Sequence, residues 1–164
     1  MAGVSFNLPA GREKEEVETV LSLPYLAYAL NESFHFFGGI MIVGIGVDII
    51  EIERIRASIE RFGSTFLQKL FTDTEITYCR SKKNPMQHFA ARFAAKEAVS
   101  KALATGWAGE FQWKNVEVVN DPSGKPNVKL YGSTAEALQH SRVLLSLSHS
   151  DTSVIAFAVI EKKE

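Results

Sequence analysis

At 164 residues, with 46% hydrophobic and 23% charged side chains and a formal net charge of −1, the chain has the size and balance of one domain able to bury a core. That even charge, with no continuous basic stripe, speaks against a nucleic-acid-binding role. No apolar run reaches the ~20 residues needed to cross a bilayer, the basic-then-apolar order of a secretory signal is missing, and the single Cys79 allows no intrachain disulfide, so no membrane association and a cytoplasmic setting are expected.

Residues 1–40 read differently from the rest. They hold two basic and five acidic residues, leaving 16 basic and 14 acidic for residues 41–164. Gly11–Leu30 has helical character interrupted by Pro24, and Asn31–Gly39 shows no period. An N-terminal extension, poorly ordered or outside the fold, is expected over 1–40, with translation from Met41 as the alternative. The folded domain is then 41–164.

Met41–Asp48 reads as a buried strand ending in a carboxylate. Its Gly44-Ile-Gly46 is not a dinucleotide fingerprint, because Ile49 stands at the third glycine position. Asp48, taken alone, is most simply the N-cap of a following helix. That helix is expected over Ile49–Phe62, with Ile49, Ile52, Ile55, Ile59 and Phe62 on its apolar face. Glu53, Arg56 and Glu60 would form local ion pairs. Arg54, Ser58 and Arg61 share another face, either a solvated row or a dock for an acidic protein. Gly63 should stop the helix. Phe66–Phe71 and Thr74–Ser81 form short helical segments around a capping turn at Thr72–Glu75. Asn84-Pro85 marks a boundary, and His88, read as structural or solvated, opens the next helix.

That helix, Phe89–Gly106, is the centre of the chain. It is rich in helix formers and free of internal Pro, and it ends at a glycine. Ala91, Ala95, Ala98 and Ala102 form a smooth stripe for close packing, which makes Arg92, Lys96, Glu97 and Lys101 the informative side chains. Glu97 and Lys101 share a face, and a surface ion pair is the plain reading of them. Beyond it the period changes. Strands are expected at Trp113–Val119, Asn127–Tyr131, Val143–Ser148 and Val154–Glu161, a turn at Asn120–Pro126 and a short helix over Gly132–His140. His149 ends its strand at the sheet's edge.

Asp48 and Glu97 both lie where packing is tight, and close packing penalises unpaired charge. A shared hard cation would relieve it. Mg²⁺ commonly takes one or two protein carboxylates, with water and substrate phosphate completing its shell. Arg92, Lys101 and the Gly124-Lys125-Pro126 turn would then suit a phosphate compound.

Gly44-Ile-Gly-Val-Asp48 with Ile49-Ile-Glu-Ile-Glu-Arg54-Ile behind it resembles the opening of holo-acyl-carrier-protein synthases. Arg92-Phe-Ala-Ala-Lys96-Glu97-Ala-Val-Ser-Lys101-Ala resembles their central signature, and Gly124-Lys-Pro126 and Ser146-Leu-Ser-His149-Ser their later motifs. The likeness runs from Met41 to the C-terminus. It implies an α+β fold of the 4′-phosphopantetheinyl transferase type, with an antiparallel sheet around a central Ala-rich helix in the single-copy short form. It further implies a homotrimer with active sites between subunits. The implied reaction moves 4′-phosphopantetheine from coenzyme A to a serine of apo-acyl carrier protein, releasing adenosine 3′,5′-bisphosphate, in the service of fatty acid biosynthesis.

By the same likeness, Asp48 and Glu97 would hold Mg²⁺, and Lys101 would contact the reacting phosphates. Arg92, Gly124, Lys125, Pro126 and His149 would seat coenzyme A. Glu97, directly or through a water on the metal, is the candidate base. Arg54, Arg61, Phe66 and Lys69 would dock the carrier. An accessory subunit that only binds, and a hydrolase of the coenzyme A pyrophosphate, are the competing readings.

Overall fold

In the computed structural model, which describes residues 41–103 and 111–163, Ile42–Glu51 extends as strand β1. From Val43 onward its residues alternate in exposure. Val43, Ile45, Val47 and Ile49 are exposed, while Gly46 and Ile50 are buried. The strand is therefore buried on one face, not on both as its composition suggested. The buried face carries Gly44 and Gly46 because a helix lies directly on it. A Cβ on Gly46 would overlap the carbonyl oxygen of Ala98, and one on Gly44 that of Ala102. Glycine on the strand and alanine on the helix together permit this approach.

β1 runs three residues past the expected strand end, so Ile49 belongs to the sheet rather than to a helix. The helix cap is Glu51, and Asp48 is a strand residue, not an N-cap. Helix α1, Ile52–Leu70, buries Ile52, Ile55, Leu67 and Leu70. The expected stop at Gly63 is a kink instead. Gly63 adopts φ 58°, a region open to glycine, and helical structure resumes beyond it. Phe62, expected on the apolar face, is exposed.

Helix α2, Asp73–Arg80, starts with the expected capping box: Thr72 Oγ1 accepts from the Glu75 amide at 3.2 Å, and Glu75 Oε2 accepts from the Thr72 amide at 2.9 Å. Helix α3, Pro85–Ala102, begins four residues before Phe89, with Pro85 in its first turn where the missing N–H costs nothing. Its expected terminator Gly106 lies outside the described residues, as do 1–40. α3 packs against α1, α2, β1 and β5.

Trp113–Asn115 is a 3₁₀ turn rather than the start of a strand. It leads into the hairpin β2, Val116–Asn120, and β3, Pro126–Leu130, which stand as a separate two-stranded sheet. A short helix α4, Gly132–Ala137, precedes β4, Ser141–His149, and β5, Ser153–Lys162. The main sheet is antiparallel in the order β1-β5-β4, with Asp48 opposite Ala156 and His149 opposite Val154. The architecture is α+β, with α3 at its centre.

Candidate active site

Position 48 on β1 faces α3, and Glu97 and Lys101 project from that helix one turn apart. Lys101 bridges the two elements. Its Nζ donates to Asp48 Oδ1 at 2.8 Å and to the Val47 carbonyl at 3.1 Å. The plain expectation of a Glu97–Lys101 surface pair is thus not met; Lys101 pairs with Asp48. Glu97 is half-buried, and its carboxyl is held above the usual carboxylate range. Burial is the main cause, the Asp48 charge adds to it, and the Lys101 ammonium opposes it. Two carboxylates therefore crowd one another beside a single cation. No group of three or more potential metal ligands occurs among the described residues. The donor set nonetheless fits Mg²⁺, which needs only one or two protein carboxylates, and a divalent cation would remove the repulsion that strains Glu97.

Arg92 lies elsewhere. Five residues before Glu97, it leaves α3 about 140° around the helix. It is 2% exposed, packs its guanidinium 4.0 Å from the centroid of Tyr78 and donates from Nη2 to Asn120 Oδ1 at 2.9 Å. Its buried Nε has no partner. Around the same ring stand Lys82, with Nζ 4.2 Å from the centroid, and His88, edge-on at 5.8 Å. Burial lowers the His88 pKa, and so do the charges of Arg92, Lys82 and His149. His149 ends β4. No ion pair to Lys82, His88, Arg92 or His149 occurs among the described residues, and a buried guanidinium without a carboxylate is suited to an anion. At the start of α3 an open pocket of about 330 Å³ is lined by Arg56, Lys83, Asn84, Gln87 and Asp151.

The Gly124-Lys125-Pro126 turn joins the cationic group through Asn120, whose Nδ2 donates to the Gly124 carbonyl at 2.8 Å. Arg54, Arg61 and Lys69 are exposed along α1, whereas Phe66 is half-buried against the core. The Gly63 kink separates Arg54 and Arg61 from Phe66 and Lys69. Of the expected local pairs on this helix, Arg56–Glu53 forms at 3.0 Å.

Sequence reasoning missed Tyr78, Lys82, Glu75 and Asn120, and it gave Lys96 no partner. Lys96 is fully buried and pairs with buried Glu75 at 2.7 Å. A lysine inside an alanine stripe was the available signal. Cys79 is buried, and its thiol is pushed up to about 12, chiefly by desolvation, which makes it inert as expected of a packing residue.

Residues 44–158 match the 4′-phosphopantetheinyl transferase superfamily. The chain belongs to that family. Over 124 residues it is 44% identical to a holo-[acyl-carrier-protein] synthase of Koribacter versatilis, covering 74% of this chain and 99% of the relative. Among solved structures it is similar to the holo-[acyl-carrier-protein] synthase of Neisseria meningitidis, with TM-score 0.67 and 38% identity over 74% of this chain and all of that one. A Bacillus anthracis holo-(acyl-carrier-protein) synthase solved with CoA (3′,5′-ADP) matches with TM-score 0.64 and 37% identity, over 75% of this chain and 99% of that one. This phosphopantetheinyl transferase is accordingly an enzyme of the holo-acyl-carrier-protein synthase type, and its α+β architecture is that of the family.

Proposed function

We propose that the enzyme uses Mg²⁺ to transfer 4′-phosphopantetheine from coenzyme A to a serine hydroxyl of apo-acyl carrier protein, releasing adenosine 3′,5′-bisphosphate and giving a holo-carrier for fatty acid biosynthesis in the cytoplasm. The observation that carries this reading is the crowded set of Asp48, Glu97 and Lys101 between β1 and α3. Asp48 and Glu97 would hold the metal, which when bound would supply charge neutralisation at the pyrophosphate. Lys101 lies between backbone and carboxylate and stabilises negative charge as the phosphorus–oxygen bond to the nucleotide breaks. Glu97 takes the serine proton while the serine oxygen bonds to phosphorus.

Arg92, His149 and the Gly124–Pro126 turn seat the nucleotide half of coenzyme A. The unpartnered Nε of Arg92 and the unpaired cations around Tyr78 support an anion there. Because Arg92 and Glu97 leave α3 about 140° apart, one coenzyme A is best served by Glu97 of one subunit and Arg92 of a neighbour. A homotrimer with shared sites meets that need. The outer face of the main sheet is the natural contact: Ile45, Val47 and Ile49 pair across to Val159, Phe157 and Ile155, and Val47 and Phe157 are 54% and 42% exposed. Residues 41–164 form the transferase unit, and 1–40 are an extension it does not need. Arg54 and Arg61 before the Gly63 kink, and Phe66 and Lys69 after it, dock the acidic carrier.

Intact-protein mass spectrometry of apo-acyl carrier protein with enzyme, coenzyme A and Mg²⁺ tests the reaction. The expected outcome is a gain of one phosphopantetheine that EDTA abolishes and that slows as salt rises. Coenzyme A cleaved without transfer would establish the hydrolase instead, and neither product a binding subunit. Sedimentation of Phe157→Glu tests the assembly, which should dissociate, whereas deletion of 1–40 should leave it intact.

A further inference from the structure

β2 and β3 pair from Val116 opposite Leu130 to Asn120 opposite Pro126. The turn between them is shaped from within. Asp121 Oδ1 accepts from the amides of Ser123 at 2.9 Å and Lys125 at 3.0 Å and from Ser123 Oγ at 2.6 Å, while Gly124 adopts φ 90°. Those bonds give the turn its form but do not attach it to α3.

Asn120 does. Its Oδ1 accepts from Arg92 Nη2 at 2.9 Å, and its Nδ2 donates to the Gly124 carbonyl at 2.8 Å. An amide is the side chain that can accept at one end and donate at the other in this span. Tyr78 supports the plane of the guanidinium, and the bond to Asn120, shorter than the 3.5 Å bond from Nη1 to the His88 carbonyl, sets its rotation and thereby the direction of the unpartnered Nε.

We propose that Asn120 is a positioning residue that locks Arg92 and the Gly124–Pro126 turn into one preset unit for the nucleotide half of coenzyme A. This rests on the proposed transferase reading. Without Asn120, the guanidinium keeps only Tyr78 and the His88 carbonyl and the turn loses its tie to α3, so the substrate must bring the two into register at the expense of affinity. Leucine at 120 removes both bonds. Aspartate keeps the acceptor for Arg92 but cannot donate to Gly124, and its charge neutralises the guanidinium that the anion needs.

The test is calorimetric titration of coenzyme A into the full-length wild type, Asn120→Leu and Asn120→Asp, beside steady-state kinetics and thermal melts. Asn120→Leu should weaken coenzyme A binding and raise its KM about tenfold, with kcat and the KM for carrier protein little changed. Asn120→Asp should be impaired at least as much. Wild-type affinity in either variant overturns the proposal. So does a parallel loss of kcat, both KM values and melting temperature, which marks a purely structural role. A wild type that neither binds coenzyme A nor modifies the carrier removes the transferase reading itself, and this proposal with it.

Discussion

Lys96 and Lys101 leave α3 five residues apart, and each meets a carboxylate, yet the two sites differ in kind. At the first, every valence is used. Lys96 Nζ donates to Glu75 and to the carbonyls of Leu70 at 2.7 Å and Trp113 at 2.9 Å. Glu75 in turn accepts from the amides of Thr72 and Val118, each at 2.9 Å. Burial pulls the Lys96 ammonium below its usual range while Glu75 pulls it back. Both side chains are 0% exposed. The second site is open: Lys101 is 50% exposed, and Glu97 bears a charge that Lys101 only partly offsets. A closed polar network fastens α1, α2, α3 and β2 together, whereas an incomplete one keeps bonding capacity for a ligand.

Lys96→Met should break the closed site most severely. It strands Glu75 in the core and should cost about 3–5 kcal/mol in urea unfolding; joining it with Glu75→Gln, which removes the stranded charge and keeps an acceptor beside the Thr72 and Val118 amides, should restore part of the loss. If the single variant unfolds like wild type, the sealed pair is not the fastening described. At the open site, Glu97→Gln should lower transfer by about 100- to 1,000-fold with no loss of melting temperature, since it removes repulsion with Asp48. Full activity would take Glu97 out of the chemistry.

A smaller effect lies in the pH dependence of stability without divalent cations. Because the folded state raises the Glu97 pKa, it binds more protons than the unfolded state in the window just above 4.5. Stability should therefore rise as pH falls through that window. Glu97→Gln should abolish this rise. Added Mg²⁺ should stabilise wild type at pH 7 and leave the variant unmoved. The smallest effect is expected at Arg56–Glu53, where the side chains are 45% and 75% exposed; Arg56→Ala should change stability by less than ~0.5 kcal/mol.

Most elements could be read from the chain because their signals are local. The Thr72–Glu75 capping box, the Asn84-Pro85 boundary and the turn before Pro126 each depend on neighbours within a few residues. The passage from β1 to α1 was misread because Ile49, Ile50 and Ile52 satisfy a strand period and a helix period alike. Pairing with Ser153–Ile155 on β5 decides for the strand. In the site, Asp48, Glu97 and Lys101 stood out as charges in tightly packed settings. The partners of Lys96 and Arg92 carried no such mark, since Glu75 and Asn120 look like ordinary polar residues until the fold delivers them.

Sequence alone determined which residues could form helix, strand and turn, and which charges stood where packing would be close, because backbone preference and side-chain period act over a few residues. Tertiary structure alone decided which charges meet. It paired Lys101 with Asp48 instead of Glu97, buried Lys96 against Glu75, and brought Asn120 to Arg92. An ionic contact depends on where elements distant in sequence come to rest, and the distance between them is set by the glycines and alanines that let β1 lie on α3.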